Sequence, residues 1–325
     1  VTRDEKHLTR GRANTLRLAL SNQLGKDALL SEEVKEAFDL CVSCKGCKRE
    51  CPTGVDMAKM KIEYLSHYKK SHGWTLRDRL IAHLPRYSHH IAAIPGLAFM
   101  LNLRNKIPGL AFLGEKLTQI SAKRSLPTWR RDTAWRSTIG STEDALFASA
   151  KPVVLWADTF NGCFETENIQ AAVNVLEASG YTVHIPQKKQ GHYCCGRTYL
   201  ASGMVDRAKA KAQELIEALL PFAQQGIAIV GLEPSCLYTL RDEALAMGLG
   251  PDAHTVAEHE LMWEEFLARE AQAQQLEPLK ARLQHTLQPI AVHGHCHQKA
   301  FGGIEDLLTC IRLIPGAQPK IIETS

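Results

Sequence analysis

Four cysteines fall within eleven positions in Cys41-Val-Ser-Cys44-Lys-Gly-Cys47-Lys-Arg-Glu-Cys51-Pro52. Thiolates separated by two, two and three residues and followed by proline suit a [4Fe–4S] cluster. Two-residue spacers let one loop reach three corners of a cube, and Pro52 turns the chain away while withholding an amide. Structural zinc sites normally use two separated Cys-x2-Cys pairs, so zinc suits this run less well. In two-cluster proteins the cysteine before proline ligates the other cluster. Either Cys51 closes the cluster begun by Cys41, Cys44 and Cys47, or a second motif lies outside the chain. Lys45, Lys48 and Arg49 are interspersed. Their charge would raise a cluster's potential and attract an acidic donor; read blandly, they are exposed surface cations.

A second set of thiols is scattered. Cys194-Cys195-Gly196 follows an expected strand at Tyr181–Ile185, Cys163 follows one at Val153–Trp156, and Glu233-Pro-Ser-Cys236 follows one at Ile227–Val230. In an open α/β sheet the crevice lies at the carboxyl ends of the strands, so these four sulfurs can converge. Adjacent cysteines make strained disulfide partners but good bridging thiolates. Gly196 permits a tight turn there. The bland alternative is buried cysteine used as a small apolar residue, and for Cys310, between Leu308 and Leu313 on an expected helix, that reading is preferred. His293-Gly-His295-Cys296-His297 follows a strand at Ile290–His293. Cys296 is a candidate ligand, whereas the histidines could bind metal, shuttle protons or cap the next helix.

The elements that must position these groups divide the chain in two. Residues 1–70 read as helical: Asn14–Leu24 puts Leu16, Leu20 and Leu24 on one face, Ser31-Glu32-Glu33 starts a second helix, and Met57–Tyr68 forms a third. Between 71 and 140, Ile94-Pro-Gly-Leu-Ala-Phe99 recurs as Ile107-Pro-Gly-Leu-Ala-Phe112. Prolines and glycines there break the chain into short helices, read as packing on a core or interface, with a membrane-surface role as the other reading. From 150 onward strands alternate with helices at Thr166–Ser179, Met204–Gln225, Glu258–Gln275 and Ile304–Leu313, ending in a strand start at Ile321. That alternation implies parallel sheets. Residues 152–185 and 289–325 each show a strand, a cysteine, a helix, a glycine and a second strand, which points to internal duplication.

Composition narrows the function classes. With 325 residues, 45% hydrophobic and 23% charged, the chain is globular and holds two or three domains. The longest run lacking polar side chains, Ile91–Leu101, is too short to span a bilayer, and the opening residues have no apolar core for a signal peptide. Ten cysteines without an export signal point to metal or redox work in the cytoplasm rather than to structural disulfides. Net charge is +4, yet residues 69–136 hold thirteen Lys/Arg against three Asp/Glu. That basic stretch is either a solvated helical surface or a face for an anionic partner. No glycine-rich fingerprint follows the Val153 strand, since Asn161-Gly162 is too little, so nicotinamide binding is not expected.

Together Cys41–Pro52, Cys194-Cys195-Gly196, Glu233-Pro-Ser-Cys236 and His293-Gly-His-Cys-His-Gln-Lys-Ala300 resemble the iron–sulfur part of bacterial FAD-linked 2-hydroxyacid dehydrogenases, over nearly the whole chain. That group includes the fused D-2-hydroxyglutarate and D-lactate dehydrogenases. The chain is also similar to the iron–sulfur subunit of glycolate oxidase and the cysteine-rich (CCG) subunit of heterodisulfide reductase. The resemblance implies a flavin domain elsewhere in the parent protein, with FAD absent from this chain. It also implies that Arg3–Asn14 and Ile321–Ser325 adjoin motifs not present here, so that the chain is an internal piece. Glu233 stands where the heterodisulfide-reductase pattern has a cysteine, and the second repeat keeps only Cys296. Both are departures from the pattern.

The expected architecture is therefore multidomain α and α/β. It comprises an α-helical ferredoxin-like domain at 1–70, a basic helical connector at 71–150, a first CCG α/β repeat at 151–250 and an incomplete second repeat at 251–325. The expected role is electron transfer. A [4Fe–4S] cluster on Cys41, Cys44, Cys47 and Cys51 and a second centre, iron–sulfur or zinc, around Cys163, Cys194, Cys195, Cys236 and Cys296 would relay electrons from the flavin to a quinone or another acceptor. Expected partners are the FAD-linked oxidase part, that acceptor and, peripherally, the cytoplasmic membrane; nucleic acid is not expected. The alternatives are a thiol–disulfide oxidoreductase using the adjacent Cys pair, a zinc-stabilised interaction module, and a nucleic-acid binder using residues 69–136, where no aromatic-interleaved basic motif is found beyond Trp129 and Trp135.

Overall fold

A computed structural model describes residues 2–136 and 139–322, the side chain of Arg136 excepted. Glu323, Thr324 and Ser325 of the chain's ending lie outside the described residues. The chain is helical with small parallel sheets and divides into two compact units. The first comprises Val1–Ala82, Thr198–Asp206 and Gly294–Gly303; the second comprises His83–Arg197, Arg207–His293 and Ile304–Ser325.

In the first unit, helices at Thr9–Leu20, Glu32–Asp39 and Met57–His72 enclose a core of Ala19, Val34, Phe38, Met57, Tyr64 and Tyr68. Ser31 caps the second helix by accepting from the Val34 amide at 3.4 Å, and Asp56 caps the third by accepting from the Lys59 amide at 3.0 Å. The Phe38 and Tyr64 rings stack with centroids 4.7 Å apart. Burying each such ring contributes about 1.5–3 kcal/mol. The first helix differs from expectation. It begins at Thr9 and stops at Leu20, and the chain turns through left-handed Asn22, so Leu20 and Leu24 are exposed and Ala19 is the buried contact. Two distant segments complete the unit. Thr198 donates to the Ala82 carbonyl at 2.9 Å, and Gly203, at φ +71°, lies so close to Leu65 that a Cβ there would stand 2.7 Å from its carbonyl carbon.

The second unit is built on four parallel strands in the order β2-β1-β3-β4: β1 Pro152–Trp156, β2 Thr182–His184, β3 Ala228–Gly231 and β4 Glu260–Met262. Val153 pairs with Val183 on one side and Ala228 on the other, and Ile229 pairs with Glu260. Val153, Val154, Leu155 and Trp156 are all buried, as a central parallel strand covered on both faces requires. Strand β4 was not legible: 258–275 reads as one helix, but the helix from Pro251 stops at His259 and another starts at Trp263. Glu260-Leu-Met has no strand propensity of its own, and pairing with β3 overrides the local preference. Two further strands, β5 Pro289–Val292 and β6 Gln318–Ile321, form a separate parallel pair. The 71–140 stretch is a run of short helices only as far as Thr118, namely Leu76–Ala82, Leu84–Ala93, Leu97–Lys106 and Pro108–Thr118; residues 119–133 hold no helix, so the expected helical connector is not helical throughout.

Candidate metal centres

In the first unit the four-cysteine loop runs from the end of the Glu32–Asp39 helix to the start of Met57–His72. Ser43 and Lys45 both take left-handed φ, near +56° and +61°, and a single helical turn at Gly46–Glu50 follows. Such backbone is costly for residues with a Cβ and marks a loop held for a purpose. Cys41, Cys44, Cys47 and Cys51 are all half-buried free thiols, and Cys41 and Cys47 pack on the unit's core. Donors are turned towards the sulfurs. The Met57 amide donates to Cys47 Sγ at 3.4 Å, and Thr53 Oγ1 stands 3.1 Å from Cys51 Sγ. That hydroxyl, followed by the amides of Val55, Thr53 and Gly54, lowers the Cys51 thiol below its usual range. Lys61 Nζ ties the loop's start, donating to the carbonyls of Phe38 and Cys41 at 2.9 and 2.5 Å, and burial lowers its affinity for a proton.

Lys45 is not the exposed cation of the bland reading. It is 1% exposed, with Nζ 3.4 Å from Asp56 Oδ2. The ammonium groups of Lys45 and Lys48 lie 5.7 and 4.8 Å from the centre of the Phe301 ring, within range of cation–π attraction. Phe301 belongs to the His293-to-Ala300 neighbourhood, whose segment 294–303 is part of this unit. His297, buried, donates from Nε2 to the Ser43 carbonyl at 3.0 Å, and Arg49 donates to the Lys299 carbonyl at 2.6 Å. His295 caps the Cys296–Phe301 helix by accepting from the His297 amide at 3.2 Å. Of the roles weighed for these histidines, helix capping is the one His295 performs. Cys296 is exposed and belongs to this unit, not to the unit of Cys163, Cys194, Cys195 and Cys236.

In the second unit those four cysteines are all buried. Cys163 ends a short helix, Thr159–Cys163, that follows β1; Cys236 lies in Pro234–Tyr238, which follows β3. Glu233 caps the latter helix, accepting from the Ser235 amide at 3.2 Å and its hydroxyl at 2.6 Å. Cys195 neighbours both Cys194 and Cys236, while Cys163 neighbours the Ser88 hydroxyl. The Cys195 contact, then burial, raises the Cys194 thiol well above its ordinary value; burial is the leading cause for Cys195. Burial also pushes Cys163 up to about 12. Cys236 also rises to about 12: its nearness to Cys195 pulls the other way, but burial and the Asp158 and Glu233 charges prevail. Gly196 sits at φ +86°, and a Cβ on it would lie 2.7 Å from the Ala208 carbonyl oxygen. Only glycine lets the Cys-Cys turn rest on the following helix.

Sequence reading missed the polar cage around these thiols. Asp158 is buried and accepts from the Phe160 amide at 2.8 Å and the Asn161 side chain at 2.7 Å; burial raises its carboxyl to about 6. His192 Nε2 meets Thr159 Oγ1 at 2.8 Å, its ring stacks on Trp135 at 4.1 Å, and burial lowers it to about 3, so it is neutral. Gly162, dismissed as a nucleotide-binding glycine, has a packing role: a Cβ there would come within 2.2 Å of the Trp135 ring.

Among the described residues no three His, Cys, Asp or Glu side chains converge as a ready-made grip for one metal ion. The donor sets suit a soft metal nonetheless. The first is four thiols with amide and hydroxyl donors on two of the sulfurs, the second-sphere pattern that stabilises ligated thiolate. The second is four buried thiols whose protons a metal would displace.

Residues 157–241 match the family model of the cysteine-rich (CCG) domain. The chain is 26% identical over 253 residues to D-2-hydroxyglutarate dehydrogenase of Pantoea ananatis, covering 74% of this chain and 24% of that enzyme. It is 25% identical over 228 residues to the Escherichia coli K12 enzyme of the same name, covering 67% and 22%. With one subunit of the anaerobic glycerol-3-phosphate dehydrogenase of Escherichia coli K12 it shares 24% identity over 234 residues, covering 69% of this chain and 55% of that protein. The matched stretch is thus about a quarter of the D-2-hydroxyglutarate dehydrogenases' length. No solved structure matches. The chain carries a cysteine-rich CCG domain and is homologous to D-2-hydroxyglutarate dehydrogenases and to the glycerol-3-phosphate dehydrogenase component, as expected of the iron–sulfur portion of a FAD-linked dehydrogenase.

Proposed function

We propose that this chain is the electron-transfer portion of a FAD-linked 2-hydroxyacid dehydrogenase of D-2-hydroxyglutarate, D-lactate or glycolate type. The carrying observation is the loop Cys41–Pro52, in which four thiols stand at cluster spacing with the Met57 and 53–55 amides turned to Cys47 and Cys51. Cys41, Cys44, Cys47 and Cys51 would hold a [4Fe–4S] cluster, which supplies one-electron transfer. The lowered Cys51 thiol favours its closing the cluster of its own loop. Around it, Lys45, Asp56, Phe301 and His297 hold the loop in shape and keep water from one side. Cys163, Cys194, Cys195 and Cys236 would hold a second centre of iron–sulfur or zinc type.

The flavin and the substrate-contacting residues belong to a part of the parent protein outside this chain, and a quinone or similar acceptor takes the electrons. The working site is cytoplasmic. Residues 1–70 act as the ferredoxin-like domain, 71–150 as the connector, and 151–250 with 251–325 as two CCG repeats; the shared strand–helix–helix–strand order of 152–184 and 289–321, each closing a parallel pair, supports the duplication.

A thiol–disulfide oxidoreductase is the second reading, favoured by the adjacent free thiols of Cys194 and Cys195. Burial and raised thiols oppose it, because attack on a disulfide needs an accessible thiolate. Reduction of the oxygen-free holoprotein by its hydroxy acid, followed by the cluster's visible absorbance, tests the proposal. Bleaching by the hydroxy acid is expected. Turnover of a disulfide without bleaching would establish the second reading instead.

A further inference from the structure

The repeated Ile-Pro-Gly-Leu-Ala-Phe segments form a helical hairpin, Leu97–Lys106 and Pro108–Thr118, inside the second unit. Its polarity is inverted. Asn102 bonds both the amide and the carbonyl of Trp129, each at 2.8 Å. Asn105 does the same to Leu126, at 3.0 and 2.7 Å. Arg104 donates to the carbonyls of Ile120, Ser121 and Arg124, Glu115 accepts from the Ala122 amide at 3.0 Å, and Thr118 bonds the Gly114 carbonyl at 2.7 Å. Apart from Thr118, which bonds within its own helix, these polar groups are spent holding the hairpin to its own return segment. What faces outward is Phe99, Met100, Ile107, Phe112, Leu113 and Leu117, all exposed, with Met100 and Leu117 at 66%. A patch of this kind on a water-facing surface marks a site that is covered in use.

Charge identifies the cover. Lys106, Lys116, Lys123 and Arg124 are exposed and form no ion pair among the described residues. Lys116 Nζ lies 4.7 Å from the centre of the exposed Phe112 ring, so cation and ring share one face. A lysine stem riding on an apolar ring is the arrangement that lets a helix rest in a lipid interface with its ammonium among the headgroups. A protein interface would instead need directed hydrogen bonds, about one per 100–200 Å², and with Asn102, Arg104, Asn105 and Glu115 used inward only the cations are left on this face to make them.

We infer that the 97–118 hairpin is a membrane-surface anchor that lays its apolar face into the headgroup boundary of an anionic bilayer. The inference stands apart from the electron-transfer reading, because vesicle binding does not depend on a bound cluster. It gives the relay a place beside a lipid-soluble acceptor.

The test is sedimentation of the full-length protein with vesicles of phosphatidylcholine alone or mixed with phosphatidylglycerol. Binding to the anionic vesicles is expected to be stronger by about tenfold or more at low salt, and reversing the charge of Lys116 and Lys123 together is expected to weaken it by about fivefold or more for each lysine. Phe99→Glu combined with Leu117→Glu, at exposed positions that leave circular dichroism unchanged, is expected to abolish binding. As a second readout, Phe99→Trp should shift its fluorescence to the blue and be quenched by brominated lipid. Absence of sedimentation with anionic vesicles, binding undiminished by the paired Glu substitutions, or loss of a co-purifying flavoprotein with vesicle binding intact would each overturn the inference.

Discussion

Single residues decide which thiols are ligands and which are filler. Cys310 lies on the Glu305–Arg312 helix, half-buried, and donates its thiol to the Glu264 carbonyl at 3.3 Å. Cys310→Ser should leave iron content unchanged, whereas Cys44→Ser or Cys47→Ser should remove the iron and sulfide of the first unit; iron and sulfide assays on protein prepared without oxygen compare the three. Lys45 carries a second prediction. Its buried pairing with Asp56 means that Lys45→Ala strands a carboxylate, at a cost of about 3–5 kcal/mol in denaturant unfolding, and that adding Asp56→Asn recovers part of the loss. Glu260 gives the pH dependence. It is fully buried, its carboxylate oxygens lack partners among the described residues, and burial raises its proton affinity well above the usual value despite nearby Arg241. The native state therefore holds a proton that the unfolded chain releases near pH 4.3, so stability falls as pH rises from there towards the raised native value. Glu260→Gln should raise the melting temperature at pH 8 and leave little difference at pH 4. An equal effect at both would show that ionisation is not the cause.

At the level of elements, helix caps and strand ends were legible because their signals are local. Ser31 before two glutamates, Gly180 after the Thr166–Ala178 helix, and the valine-rich run of β1 all mark their places without help from distant chain. Strand β4 and the clasp of residues 294–303 on the four-cysteine loop were not legible, since each depends on a partner far away in sequence: Ile229 for Glu260, Ser43 for His297. The four-cysteine run was legible in full because its thiols sit on one loop; the buried cage of Asp158, Thr159 and His192 was not, because it is assembled from separate loops. Two substitutions test these contacts. Gly196→Ala forces a Cβ against the Ala208 carbonyl in left-handed backbone and should destabilise the CCG domain by about 2 kcal/mol or more, read by thermal unfolding. His297→Ala removes one hydrogen bond to the loop, worth about 0.5–1.5 kcal/mol, and should shorten the life of the cluster's absorbance in air with the initial iron content unaltered.

For the whole molecule, no helix among the described residues is long and apolar enough to cross a membrane. Part of the charge that stands out in the sequence between 69 and 136 lies on the 97–118 hairpin, where Lys116 shares an exposed face with Phe112. There are two sets of thiols, one on a loop with polar donors and one buried on the segments that follow β1, β2 and β3; on the proposed reading they would be two redox stations rather than one catalytic site. The central claim is that the first set holds iron and sulfide. Iron, zinc and sulfide counts with EPR of the reduced, oxygen-free protein test it most directly. The account predicts at least four irons and four sulfides per chain and a paramagnetic signal on one-electron reduction; zinc in place of iron, with no sulfide and no signal, would contradict it.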